Sequence, residues 1–344
     1  MNRLQILKGK VFQAPMAGAT NPAFVSKSSN LGFIGNLGCG YMMPSKISEG
    51  IAEIKKETIK PFGINLFVSN SVPDYNAAVS SDSSILKAIE SVYSSADMSF
   101  SPPNYPSCVP PFKEQLEAVL ANPPPIVSFT FGIISADQVE QLHAKNIIVI
   151  GTATNAQEAE AWKQVGADAV VLQGREAGGH RGTWIGPEKD SLFKLDELLE
   201  ATKDVDIPVI PAGGVASVHR LKTLLQNPRV LAVTVGTALL MSHESPLCAK
   251  HKQHFVELSQ VSQVANTLAF SGKMAKGARN LVFDALETKH YPYPIQHYLT
   301  SSLRAEAAKQ QKIDYLAMWC GDGVVERHEL KSLEDLAAEF EVSA

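Results

Sequence analysis

The chain has 344 residues, 45% apolar and 19% charged, with a formal net charge of -4. That length suits one large barrel or two smaller domains with an ample core. The negative charge and the lack of any basic run argue against nucleic acid or an anionic membrane as a partner. "MNRLQILKGK" has no apolar core of signal-peptide length, and "VLAVTVGTALLMS" is too short to cross a bilayer. Cys39, Cys108, Cys248 and Cys320 have neither metal-ligand spacing nor a disulfide pattern, so a reducing, cytoplasmic setting is expected.

In chain order, the predicted strands are "VFQAPMA" from Val11, "FIGNLG" from Phe33, "FGINLFV" from Phe62, "IVSFTFG" from Ile126, "NIIVIGTA" from Asn146, "DAVVLQG" from Asp168, "PVIPAGG" from Pro208 and "LAVTVGTA" from Leu231. Apolar residues run through them with little alternation, as in parallel strands covered on both faces. Helical segments lie between. In "NAQEAEAWKQVGA", Asn155 suits an N-cap, Ala156, Ala159 and Trp162 mark one face, and Gly166 sits where a helix ends. "SVHRLKTLLQN" reads the same way. This alternation predicts a (β/α)8 TIM barrel, with a doubly wound sheet as the rival. Ser69 to Pro111 is expected to be a long loop carrying a helix, "SSILKAIESVYS". His243 to about Trp319 reads as a helical insertion after the last strand, and "SLEDLAAEF" as the closing helix. The expected organisation is a barrel over residues 1–242, closed by a helix within 329–344, and a helical substrate-side subdomain over 243–325.

Barrel active sites lie at the C-terminal strand ends, and here those ends carry polar and glycine-rich residues. Ala212, Gly213 and Gly214, with Ser217 at a helix start, suit a phosphate held by backbone amides. A tight strand-to-helix turn would have the same sequence. Gly236 and Thr237 on the neighbouring strand strengthen the phosphate reading. Asn65 and Gln173 offer amides to a ring with alternating donors and acceptors. His180 leaves a strand within the glycine loop "EAGGHRG" and is the candidate proton-transfer group. His143, His219, His243, His251, His254 and His328 read as surface or packing residues. His243–Glu244 lacks the second histidine of a metalloprotease, "GNLGCG" is no dinucleotide fingerprint, and neither a P-loop, a G-x-S-x-G nor a metal cluster is found.

Taken together, "QAPMAGATNPAF" at Gln13, "PFGINLFV" at Pro61, "VSFTFGI" at Val127, "GADAVVLQGREAGGHRG" at Gly166, "PVIPAGGV", "VTVGTALL", "FSGKMAKGARN" at Phe270, "YPIQHYLTSSLR" at Tyr293 and "MWCGDG" at Met318 resemble the FMN-dependent nitronate monooxygenases, formerly 2-nitropropane dioxygenases. The resemblance implies FMN at the barrel mouth. Ala14, Pro15 and Met16 would lie near its ring. Asn65 and Gln173 would bond it, and Gly178 and Gly179 would pack on it. Ala212, Gly213, Gly214, Thr234, Val235, Gly236 and Thr237 would hold its phosphate. It also implies that His180 is the catalytic base and that an alkyl nitronate is oxidised by O2 to a carbonyl compound and nitrite through a flavin semiquinone. Tyr105, Tyr293 and Tyr298 are candidates for an aromatic substrate wall. The departures are Thr234-Val235 in place of Gln-Met, "VASVHR" after "AGG", and Cys320 and Asp322 in "WCGDG". An NAD(P)H-dependent enoyl-thioester reductase shares the barrel and the Gly-Gly-His loop and remains an alternative, as does a non-catalytic barrel that binds a phosphorylated ligand.

Overall fold

The computed structural model describes residues 3–68 and 73–342. The predicted parallel strands are present as β1 (Val11–Gln13), β2 (Gly35–Gly38), β3 (Phe62–Phe67), β4 (Ile126–Thr130), β5 (Ile148–Ala153), β6 (Ala169–Gln173), β8 (Val209–Ala212) and β9 (Val233–Val235). Their order in the sheet is β1-β9-β8-β6-β5-β4-β3-β2. A parallel bridge between Phe12 and Ile34 joins the two ends, through Gln13 N–H to Ile34 O at 3.0 Å and Ile34 N–H to Val11 O at 2.9 Å. The fold is a (β/α)8 barrel.

Side chains alternate between two cores, as the pleat requires. Phe12, Ile34, Ile126, Ile148, Ile150 and Ile210 fill the barrel interior. Their neighbours Val11, Val127, Val149, Val209 and Val233 face the surrounding helices. The helix Ala156–Gln164 shows how the outer layer is fixed. Asn155 caps it by accepting from Glu158 N–H at 2.9 Å. Trp162 is fully buried, donates Nε1–H to Thr152 O at 3.2 Å, and packs where a Cβ at Gly151 would come within 2.2 Å. Truncating such a residue costs about 3–5 kcal/mol. The helix Leu333–Glu339 adds Leu333, Leu336 and Ala337 to this layer.

Two expectations need correction. Residues 243–319 are not wholly helical. β10 (Val264–Thr267) and β11 (Ala275–Ala278) form an antiparallel hairpin, and β7 (Gly179–His180) joins it as a third strand. The segment after β3 holds two helices, Tyr75–Ser81 and Ser83–Ser95, while Ser69, Asn70, Ser71 and Val72 lie outside the described residues. Ile89, Val92 and Tyr93 of the second helix share one core with Phe255, Phe283, Leu299 and Leu303 of the insertion. The two excursions therefore pack together around one shared apolar core. Among the described residues, no helix is long and apolar enough to cross a membrane.

Candidate active site

At the C-terminal ends of the strands lies a cavity of about 520 Å³, within the ~300–1,000 Å³ that small-molecule and cofactor sites occupy. Its floor is Phe12, Ile150 and Val171, and the inward polar residues Asn65, Ser128, Thr152 and Thr234 stand above it. On one side, the chain turns sharply as it leaves β8. Gly213 and Gly214 both adopt positive φ, 117° and 67°, which residues with a Cβ rarely tolerate. Among the described residues, the amides of Gly213, Gly214, Gly236 and Thr237 donate to no protein acceptor. Ser217 then caps the helix Val218–Leu225. A cluster of unspent amides between two strand tips is an anion site without any cationic side chain. Thr237 Oγ1 accepts from Gly321 N–H at 2.9 Å, which leaves the hydroxyl proton free to donate. Thr234 Oγ1 is buried without a partner.

His180 is held far more firmly than its glycine-rich surroundings suggest. Pairing of β7 with β11 sets Gly179 opposite Lys276 and His180 opposite Ala275, and Arg181 N–H donates to Met274 O at 2.7 Å. Gln173 clamps the same segment from below, with Nε2 donating to His180 O at 2.9 Å and Oε1 accepting from Gly182 N–H at 2.8 Å. Arg181 is buried and donates to the carbonyls of Gly174 at 2.8 Å and Ser191 at 3.0 Å, and to that of Gln173. His180 Nε2 lies 2.8 Å from Ser271 Oγ, whose hydroxyl points to Lys273 O at 3.0 Å. What surface the ring keeps belongs to the cavity wall. Burial, reinforced by the charges of Lys273 and Arg304, pushes its pKa down to about 3, so the imidazole is neutral at physiological pH.

A continuous wall of rings runs from His180. Phe131 stands 5.8 Å from it between centroids, Phe67 4.4 Å from Phe131, Tyr41 5.1 Å from Phe67, and His297 stacks on Tyr41 at 3.7 Å. Phe131 has φ 74°, a conformation that costs a bulky residue about 1–3 kcal/mol and that clusters at functional sites. Trp319 faces His180 at 5.5 Å from the other side. The wall ends at Arg304. Its Nη2 donates to His297 O at 2.9 Å and lies 3.2 Å from His297 Nδ1, and its Nε–H reaches Thr300 O at 3.3 Å.

Of the residues expected at the site, Ala14, Pro15, Met16, Asn65, Gln173 and His180 line the cavity, as do Gly178, Gly179, Ala212, Gly213, Gly214, Thr234, Gly236 and Thr237. Val235 does not. It is one pleat out of phase with Thr234, its side chain lies in the outer core, and its carbonyl accepts from Ala14 N–H at 2.9 Å. Gln173 and Asn65 are committed at least partly to the protein, the latter donating Nδ2 to Ser128 Oγ at 2.9 Å and Thr130 Oγ1 at 3.1 Å. Gly178 is required by the protein itself, because a Cβ there would come within 2.4 Å of the Cys320 backbone. Cys320 and Asp322 do not line the cavity. The thiol is buried, and the carboxylate pairs with Lys276 at 2.7 Å. The three candidate tyrosines lie behind the wall. Tyr293 packs edge-on against Phe131 at 5.7 Å, Tyr298 against Tyr41 at 6.4 Å, and Tyr105 stacks on Tyr75 and donates to Pro73 O at 3.0 Å. Tyr41, Phe67, Phe131 and Trp319 take the cavity positions instead. His251, expected to be a packing residue, also lines the cavity with Nε2 unpartnered.

Residues 1–341 match the family model described as nitronate monooxygenase. The chain belongs to the nitronate monooxygenase family. It is 33% identical over 322 residues to a probable nitronate monooxygenase of Bacillus subtilis, covering 91% of this chain and 90% of that protein. To a probable nitronate monooxygenase of Staphylococcus haemolyticus it is 35% identical over 319 residues, covering 90% and 87%. Among solved structures, nitroalkane oxidase from Streptomyces ansochromogenes superposes with a TM-score of 0.87 at 30% identity, covering 99% of this chain and 98% of that one. FabK from Thermotoga maritima shares the fold, with a TM-score of 0.74 at 21% identity over 98% of this chain and 93% of that one. As a nitronate monooxygenase family member, the chain is an oxidoreductase.

Proposed function

We propose that the enzyme binds FMN in this cavity and oxidises alkyl nitronates with O2 to a carbonyl compound and nitrite. The observation that carries the reading is that the unspent amides of Gly213, Gly214, Gly236 and Thr237 and the neutral imidazole of His180 open onto one cavity. The residues fit the cofactor. Main-chain N–H groups at the tips of β8 and β9 would take the phosphate, the free proton of Thr237 Oγ1 would add a donor, and Thr234 Oγ1 would gain the partner it lacks. Ala14, Pro15 and Met16 would lie against the ring system, and Asn65 and Gln173 would offer it the remaining capacity of their amides. Bound there, FMN supplies the redox chemistry.

The protein's own part is proton transfer, orientation and exclusion of water. A hydroxyl carries one proton. With that of Ser271 directed to Lys273 O, His180 donates Nε2–H to Ser271, and Nδ1 keeps the lone pair. A neutral nitroalkane needs this base to take its α-proton. Burial keeps the imidazole unprotonated but also weakens it as a base, and the negative charge that develops on the substrate beside it would stabilise the imidazolium as it forms. A nitronate arrives already deprotonated and needs only a positive environment, which Arg304 provides; Lys273 is paired with Glu188 at 2.6 Å. Phe67, Phe131 and Trp319 keep the reacting carbon away from bulk water.

His180→Asn tests the assignment. FMN content should be unchanged, and turnover of nitroethane should fall by roughly two to four orders of magnitude, the usual contribution of a general base. Turnover of ethyl nitronate should fall far less. Equal losses on both substrates would mean that His180 does not act as the base.

A further inference from the structure

Arg304 stands out from the other cations near the cavity. Lys273 is neutralised by Glu188 at 2.6 Å, and Lys276 by Asp322. Arg304 forms no ion pair among the described residues, and the groups whose charge bears on it are the phenols of Tyr41 and Tyr93. Its Nε and Nη2 protons are spent on the carbonyls of its own helix, Ile295–Gln310, and on His297. These bonds fix the plane of the guanidinium. Nη1, with two N–H groups, donates to no described residue. Arg304 nonetheless lines the cavity, and it is close enough to His180 to depress the protonation of that ring. His297, Ser301 and Arg304 all reach the cavity from one helix at spacings of four and three, which places them on a single helical face. Arg304 thus presents an unmatched charge and a free pair of donors at the end of the ring wall.

We propose that Arg304 is the specificity-determining residue for substrate charge, its guanidinium holding the oxygens of the anionic nitronate while the hydrocarbon lies along the Tyr41–Phe67–Phe131 wall toward His180. The proposal rests on the reading above that the cavity takes a nitronate. A nitronate carries its charge on two oxygens of a planar nitrogen. With Nε and Nη2 already spent, the Nη1 N–H groups would donate charge-assisted hydrogen bonds to those oxygens from one side rather than as a two-nitrogen fork. A neutral nitro group in the same place gains little, until His180 removes the α-proton and charge develops on those oxygens. Arg304 therefore acts at two different stages. With a nitronate it contributes to binding. With a nitroalkane it contributes to the proton-transfer transition state.

The test uses the FMN-loaded enzyme and two variants, Arg304→Gln and Arg304→Lys. For Arg304→Gln, KM for ethyl nitronate should rise by about 10- to 100-fold, the range for losing a hydrogen-bonded charge. For nitroethane the loss should appear in kcat, with KM little changed. Nitrate, a planar oxyanion, is the non-reacting probe. It should perturb the flavin absorbance and inhibit the wild type, do neither with Arg304→Gln, and recover in part with Arg304→Lys. Equal rises in KM for both substrates, or undiminished nitrate binding to Arg304→Gln, would overturn the proposal. If Arg304→Gln does not fold, Arg304→Lys decides through the nitrate response: wild-type KM and nitrate affinity at an altered geometry would count against a fitted guanidinium site. If the wild type turns over no nitronate, the reaction assignment has failed. The nitrate-induced rise in Tm of wild type, present or absent in the variants, then reports separately on whether Arg304 binds an anion.

Discussion

Gln173 lies at the point where the sequence resemblance and the geometry suggest different principal roles. The resemblance makes it a flavin contact. In the structure its amide spans β6 and β7, donating to His180 O at 2.9 Å and accepting from Gly182 N–H at 2.8 Å. Gln173→Leu keeps the volume and removes both bonds. Each bond contributes about 1 kcal/mol net, and a buried carbonyl or amide left without a partner costs about 1–3 kcal/mol, so a loss of about 2–4 kcal/mol is expected. Unfolding entropy of about 2.1 cal/mol/K per residue, over 344 residues, is roughly 0.7 kcal/mol/K, which converts that loss to a fall in Tm of about 3–6 °C. The assay is thermal unfolding with and without FMN, alongside turnover of nitroethane. A clamp lowers Tm by the same amount in both forms and slows proton abstraction, because His180 is no longer fixed. Gln173→Glu should repair only the Gly182 half. An unchanged Tm of the FMN-free protein, with destabilisation confined to the FMN-loaded form, would refute the clamp and restore the flavin contact as the residue's main role.

Acid should destabilise the FMN-free protein. His180 and His251 are depressed to about 3 and His297 falls well below its ordinary value, in each case chiefly through burial. The unfolded chain's imidazoles protonate near 6.5, so stability is complete above that pH and is lost as pH falls below it. Between pH 7 and 5.5 the loss is about 1 kcal/mol per histidine, measurable as a falling denaturation midpoint in urea, and a flat midpoint over that range would contradict the assignment of buried neutral rings. At the β9 tip, a Cβ on Gly236 would meet only Ala14 Cβ at 3.4 Å, so Gly236→Ala should leave the Tm of the FMN-free protein within a degree or two. The methyl group would stand in the amide cradle, and FMN affinity should fall by about 10-fold or more by fluorescence titration. Unchanged affinity would place the phosphate elsewhere.

The barrel was legible because each parallel strand is covered on both faces and therefore shows as an apolar run. Asn155, Trp162 and Gly166 signalled their helix for the same local reasons that the structure uses them. What stayed hidden depends on partners distant in sequence. β7 is two residues long, with no strand propensity in "GGH", and exists because β11 pairs with it from beyond the last barrel strand. The hairpin strands "VANT" and "AKGA" lack both alternation and β-branched runs, so the insertion read as helical. The ring wall could not be assembled either, since Tyr41, Phe67 and Phe131 leave three different strands. Arg304 did leave a trace. His297, Ser301 and Arg304 make a polar stripe on a helix whose Ile295, Leu299 and Leu303 are buried, and a polar stripe beside a buried face points to a lined cavity.

Anaerobically purified enzyme, loaded with FMN and given ethyl nitronate in air-saturated buffer without NADH or NADPH, should consume O2 and release nitrite and acetaldehyde in equal amounts. No nitrite from a protein that has bound FMN, together with rapid bleaching of the flavin by NADPH, would contradict the account and favour a reductase on the same barrel.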